Sequence, residues 1–214
     1  MDEDIEIINT QTRIEKIKNF LIRSKKKILI SVILFILMIM SYFGFQEYNL
    51  SKTNKLAKKF NINKIKFETN ADRAAVSEFI EIIKSKDKTY TPLAFYYLLD
   101  NNLINSRDNI NKYFDILINE IDLDPEIKNL TIFKKGLYNS NFVDENELLK
   151  IMNPIINSKS IWRPHALLLM GEYYLSKSEM QKSKEFLQKV LSIEDISVKL
   201  RTDVQKTLRT RFSK

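Results

Sequence analysis

An all-α protein is what this sequence predicts: a single N-terminal transmembrane helix, then a helical-repeat domain of the tetratricopeptide-like α-solenoid class. Three observations predict it. Residues 28–45 run for 18 positions without a charged side chain. Beyond them, apolar residues recur at three- and four-residue spacings, with almost no alternating pattern that would read as strand. Finally, small and aromatic residues recur at matching offsets in two distant parts of the chain.

The apolar run, ILISVILFILMIMSYFGF, follows directly on Arg23, Lys25, Lys26 and Lys27. As a helix it would span about 27 Å, close to the thickness of a bilayer's hydrocarbon core. Inside hydrocarbon only a helix satisfies the backbone of such a segment. Tyr42, Phe43, Phe45 and Tyr48 cluster at one end, as interfacial anchors do. The run has 27 residues before it and no small-residue cleavage site after it, so an uncleaved anchor is expected rather than a signal peptide. Seven Lys and Arg stand in the 15 residues before the run and four in the 15 after it. That bias predicts a cytoplasmic N-terminus and a translocated C-terminal part. The expected organisation is a cytoplasmic tail (1–27), a transmembrane helix (28–45), a stalk (46–65) and a translocated repeat domain (66–214), which the resemblance given below would place in the periplasm.

Composition removes several functional classes. The chain has no cysteine, which excludes disulfides, thiolate metal sites and a cysteine nucleophile. One histidine and three glycines leave no phosphate-cradling loop, and Gly44 lies in the apolar run. His165 alone does not make a metal site. The acidic pairs Glu145/Glu147 and Glu194/Asp195 read as helix-start charges that complement the macrodipole. No catalytic, metal-binding or cofactor-binding residue is therefore expected, and the protein does not read as an enzyme. Of the net charge of +8, the tail holds +2, which leaves +6 beyond the membrane, spread among acidic residues. Only the last helix, with Lys199, Arg201, Lys206, Arg209, Arg211 and Lys214, approaches a basic stripe. It reads as a solvated face, and a translocated domain would not meet nucleic acid, so no nucleic-acid partner is expected.

Capping residues divide the translocated part into short helices. Residues 46–61 continue the membrane helix outward, and a helix over 71–84 follows. Thr91 is placed to cap a helix over 93–101, with Pro92 at its first position. Ser106 opens the next, and Asp124-Pro125 repeats the cap-then-proline signal before 127–138. Asp144 with Glu147, and Ser178 with Gln181, have capping-box spacing. Ser160 precedes a helix over 166–175, and a last helix covers 197–211.

The repeat register comes from small residues, which let two helix backbones approach. Gly171, Tyr174, Ser183, Leu187 and Val190 have tetratricopeptide-type spacing, and Ala94, Tyr97, Ser106, Ile110 and Tyr113 reproduce the offsets. A middle unit over 127–156 is degenerate, and Pro154 is expected to end or kink its second helix. In this register the groove-facing side of each first helix shows His165, Leu168, Glu172 and Leu175 in the late unit, and Lys88, Thr91, Phe95 and Leu98 in the early one. The same apolar residues would equally serve packing between helices. Trp162, the single tryptophan, reads as packing between repeats.

With these features in view, the chain resembles the YfgM-like family of bacterial inner-membrane proteins, in its alphaproteobacterial branch. The likeness rests on an acidic start (Asp2, Glu3, Asp4), the basic edge Lys25-Lys26-Lys27, one span, and helix pairs to the end. Its most specific part is Ser160-Ile161-Trp162-Arg163-Pro164-His165-Ala166, then Gly171-Glu172-Tyr173-Tyr174-Leu175-Ser176-Lys177-Ser178 and a final helix with Arg201. Ser178 replaces a turn glycine, and Ser106 and Ser183 replace alanine. The resemblance implies an ancillary subunit beside the SecYEG translocon, its span in membrane lipid. It also implies a repeat domain working with periplasmic chaperones or isomerases on client polypeptides. A structural scaffold for division or wall-synthesis machinery, and a regulatory anchor using residues 1–27, are the other readings.

Overall fold

The computed structural model describes residues 2–212, which places Lys214 outside the described residues. Among the described residues there are nine α-helices and no strand. They are α1 (Asp2–Asn70), α2 (Ala74–Lys84), α3 (Tyr90–Asp100), α4 (Arg107–Asn119), α5 (Pro125–Asn139), α6 (Glu145–Ile156), α7 (Arg163–Ser176), α8 (Met180–Leu191) and α9 (Val198–Phe212). Contacts divide the chain into two units, Met1–Lys55 and Leu56–Lys214. In the first, α1 is long and apolar enough to cross a membrane, and none of its most apolar stretch is buried against protein.

The second unit starts ten residues earlier than the boundary expected at residue 66, and aromatic packing explains why. Phe60 lies edge-on to Phe79 at 5.4 Å and to Tyr97 at 6.1 Å, while Phe67 meets Tyr97 at 6.2 Å. Lys59 pairs with Glu78 at 2.8 Å beside them. From α2 to α9 each helix packs on the next in chain order. The buried residues form three successive clusters. The first spans the end of α1 to α4 around Phe79, Phe95, Phe114 and Leu117. The second joins α5, α6 and α7 around Leu148, Met152 and Tyr174, and the third joins α7, α8 and α9 around Leu187 and Val204. Stability in such a stack is carried by neighbour-on-neighbour burial.

The late helix pair crosses where the small residues foretell. A Cβ built on Gly171 would meet Leu187 Cδ2 at 2.9 Å, and Ser183 Oγ donates to the Gly171 carbonyl at 2.8 Å. The middle pair, degenerate to the eye, has a crossing of its own, because a Cβ on Gly136 would collide with Met152 Sδ. The offset of 16 residues is the same in both pairs. The early pair differs. Ser106 is the N-cap of α4 and accepts from Asn109 N–H at 3.3 Å, so it is not at a crossing.

Several caps are as the sequence predicts: Asp124 accepts from Glu126 N–H and Asp144 from Glu147 N–H, both at 2.9 Å. Others are reassigned. Asp87 takes the Thr89 and Tyr90 N–H groups at the start of α3. Thr91 is buried inside that helix, where its hydroxyl donates to the Ile82 carbonyl that closes α2. Ser178 is no N-cap: it holds a left-handed φ of 63° just past α7. There Ser178 N–H meets the Leu175 carbonyl and Glu179 N–H the Tyr174 carbonyl, a Schellman closure. Pro154 does not end α6, which continues to Ile156. Arg201 reaches back from α9 to the Ile193 and Glu194 carbonyls at 3.2 and 3.1 Å, closing the turn that follows α8.

Glu145 ties three helices together. It accepts from Tyr174 Oη at 2.8 Å and from Lys182 Nζ at 2.8 Å, and Lys182 also meets Glu179. Hydrogen bonds from Lys182 and then Tyr174 hold the Glu145 carboxyl below its usual range.

Three outcomes follow for the detergent-solubilised chain. Ser178→Gly should raise stability by about 1 kcal/mol, or 2–4 °C in Tm, by relieving the left-handed serine. Gly171→Val should lower it by about 2 kcal/mol or more, through overpacking at the crossing. Because Glu145's folded pKa is depressed, its contribution is present above the ordinary carboxylate pKa and is lost as pH falls through the folded value. Between roughly pH 5 and pH 3, Glu145→Gln should therefore lose less Tm than the parent. Equal losses would remove Glu145 from the account.

Candidate functional site

Three helices stand side by side and leave one mostly apolar face uncovered. On α3, Leu93 and Tyr96 are one turn apart. Tyr96 Oη donates to Thr131 Oγ1 of α5 at 3.3 Å, and Lys134 of α5 lies 3.9 Å above the Tyr96 ring. Burial pushes the Tyr96 phenol up, so it stays a hydrogen-bond donor at neutral pH. On α5, Ile127, Lys134 and Leu137 recur at seven and then three residues, one helix face. Phe133 beside them stacks on Trp162 at 6.0 Å and meets His165 of α7 at 6.1 Å. On α7, His165, Leu168, Glu172 and Leu175 follow at three, four and three residues, again one face.

The apolar members are not spent on the core. Leu93, Ile127 and Leu137 are 47%, 48% and 51% exposed. Trp162 is half-buried and packs on the second cluster, as inter-repeat packing requires. Its position is set from below. Buried Ser160 donates to Glu126 Oε2 at 2.7 Å and accepts from Trp162 N–H at 3.1 Å, holding the chain at the entrance to α7. Burial raises the Glu172 carboxyl, and among the described residues no cation pairs with it.

The four α7 residues expected to line a groove share this face. His165 and Glu172 are exposed, while Leu168 and Leu175 are half-buried, Leu168 against the third cluster. The early set is corrected. Phe95 and Leu98 are 0% exposed, with Phe95 edge-on to Phe114 at 4.8 Å, so they are core and offer nothing to a partner. Thr91 is also buried, and Lys88 is exposed in the turn before α3. The surface side of α3 is Leu93 and Tyr96 instead. The α5 members escaped sequence reading altogether. The signal for them was Gly136, 35 residues before Gly171.

Among the described residues no group of three or more His, Asp or Glu side chains is placed to hold a metal ion. The arrangement offers area, aromatic edges and two isolated charges, which suits contact with a polypeptide. No protein-family model, curated protein or solved structure matches the chain.

Charge substitution separates core from face. Phe95→Glu should unfold the domain, losing about 4 kcal/mol or more. Leu137→Glu should shift stability by about 0.5 kcal/mol or less. Circular dichroism melts measure both, and similar losses in the two would return Leu137 to the core.

Proposed function

We propose that this chain is a non-enzymatic, membrane-anchored helical-repeat scaffold that holds protein partners beside the inner membrane, its repeat domain in the periplasm. The observation that carries the reading is the unburied apolar run of α1. Twelve Leu, Ile, Val and Phe side chains lie in residues 28–45, and side chains of this kind in the run are exposed in the folded chain. At about 0.3–0.6 kcal/mol each in a bilayer, they favour insertion by roughly 4–7 kcal/mol. The excess of lysine and arginine before the run supports a cytoplasmic N-terminus.

The repeat domain is read as a tetratricopeptide-type solenoid. Its support is the shared 16-residue offset of the Gly136/Met152 and Gly171/Leu187 crossings, together with first helices α3, α5 and α7 lying side by side. The partner is read as an extended polypeptide laid across Leu93, Ile127, Leu137 and the Phe133–Trp162–His165 rings. The sequence resemblance supplies the setting: an ancillary subunit of the SecYEG translocon that meets emerging client chains and periplasmic chaperones or isomerases.

Two measurements test this. Protease added to spheroplasts should digest the chain beyond Tyr48, and the protein should resist carbonate extraction; full protection or a freely soluble product overturns the membrane reading. A photo-crosslinker at Leu137 should capture translocon subunits, emerging chains or periplasmic folding factors in mild detergent. Ile127→Glu, at a side chain exposed on the same face, should lower the yield about tenfold with Tm unchanged. Capture of division or wall-synthesis enzymes alone would replace the partner assignment.

A further inference from the structure

The middle helix pair breaks the repeat at two positions, and both breaks serve one cleft. Immediately before the small residue of the repeat register (Ala94, Gly136 or Gly171), α3 has Leu93 and α7 has Met170, but α5 has Lys135. Three residues after it, α3 has Tyr97 and α7 has Tyr174, but α5 has Asn139. Lys135 is only 16% exposed along its side chain and pairs with Asp115 of α4 at 2.6 Å. Buried Asn139 exchanges two hydrogen bonds with Asn111 of α4, at 2.7 and 3.1 Å. At the equivalent places of α7, Met170 and Tyr174 are buried in the second cluster, so α5 gives up apolar burial at both positions. Departures of this kind from an otherwise consistent pattern concentrate where function requires them.

Lys135 lines a cleft of about 590 Å³ between α4 and α6, with Ile132 of α5 beside it, and Asn139 holds the Asn111 side chain that borders the same cleft. Apart from the Lys135–Asp115 pair, its walls carry charges of both signs that do not pair with one another. Among the described residues, Lys150 has no acidic partner, and Arg107 lies over the Phe142 ring at 5.7 Å without one. Asp108 and Glu147 likewise have no cationic partner among the described residues. The wall of α6 adds a backbone acceptor: Pro154 has no N–H, so the Lys150 carbonyl lacks its usual donor four residues on.

A ligand for this cleft must itself be balanced. A phosphate-bearing ligand would meet three carboxylates, and a polyamine would meet three cations. A sugar ring would find no aromatic platform in the lining. We propose that the cleft binds a short zwitterionic peptide of two or three residues. Its carboxylate lies between Arg107 and Lys150, its ammonium group between Asp108 and Glu147, and its amide groups on Asn111 and the Lys150 carbonyl. The volume lies in the range of small-ligand sites. The cleft lies between α4 and α6 over Ile132 and Lys135 of α5, includes none of the residues of the α3–α5–α7 face, and is independent of the reading given to that face.

The test uses the full-length chain in lipid nanodiscs, with tri-alanine as probe, followed by isothermal titration calorimetry and saturation-transfer NMR. Tri-alanine should bind with a Kd of about 0.1–1 mM. N-acetyl-tri-alanine amide, which lacks both charges, should bind at least about tenfold more weakly. The double substitution Glu147→Gln with Lys150→Gln changes only exposed wall residues; it should abolish binding at unchanged Tm. Lys135→Met with Asn139→Tyr restores repeat-like residues and should abolish binding at equal or higher Tm; should it fail to fold, the wall variant decides. No saturation transfer to tri-alanine at about 10 mM overturns the proposal. So does equal binding of the blocked peptide, or binding retained by the wall variant.

Discussion

At Gly171 the backbones of α7 and α8 come so close that a single methyl group would run into Leu187, and the C-terminal half of the domain is arranged around that approach. The glycine lets α8 lie flat enough for Ser183 to reach the Gly171 carbonyl. It also turns Leu187 and Val190 into the cluster shared with α9. Gly136 does the same for α5 against Met152 of α6. With no cysteine in the chain, no covalent staple supplements these contacts. Helix-on-helix burial has to hold the stack, and it is most effective where backbones approach most closely.

The two crossings also explain which surfaces remain open. Each helix spends one face on its predecessor and one on its successor, so first helices present a remaining face on one side and second helices on another. Leu93, Ile127, Leu137 and the Phe133–Trp162–His165 rings fall on the first kind of surface. The polar cleft lies between the second helices α4 and α6, with Lys135 of α5 at its side. One repeat plan thus yields an apolar face and a charge-balanced cleft with no helix devoted to either alone.

What was legible in the sequence was whatever depended on near neighbours along the chain. Asp124 before Pro125, and Asp144 three residues before Glu147, sit where a carboxylate can reach its own helix start, and both do so. Thr91 and Ser178 carry similar signals but are committed elsewhere. Thr91 lies against the carbonyl end of α2. Ser178 is needed in a left-handed turn that closes α7. The side of α3 to be buried was not legible either. Its sequence, YTPLAFYYLLD, is apolar nearly all round, so nothing local separates Phe95 and Leu98, which are buried, from Leu93 and Tyr96, which are surface. In α5 the missing tyrosine hid the register, although Gly136 marks it.

By itself the sequence determined the helical class, the apolar run able to cross a membrane, the approximate helix limits and the late crossing at Gly171. All of these follow from periodicity, charge and spacing within a few turns of chain. The tertiary structure alone decided that the compact unit begins at Leu56, that Phe95 and Leu98 are core, that Glu145 joins three helices, and that Lys135 and Asn111 border a cleft. Each depends on residues 19 or more positions apart being brought together. A helix can bury any of several faces until a neighbour chooses one.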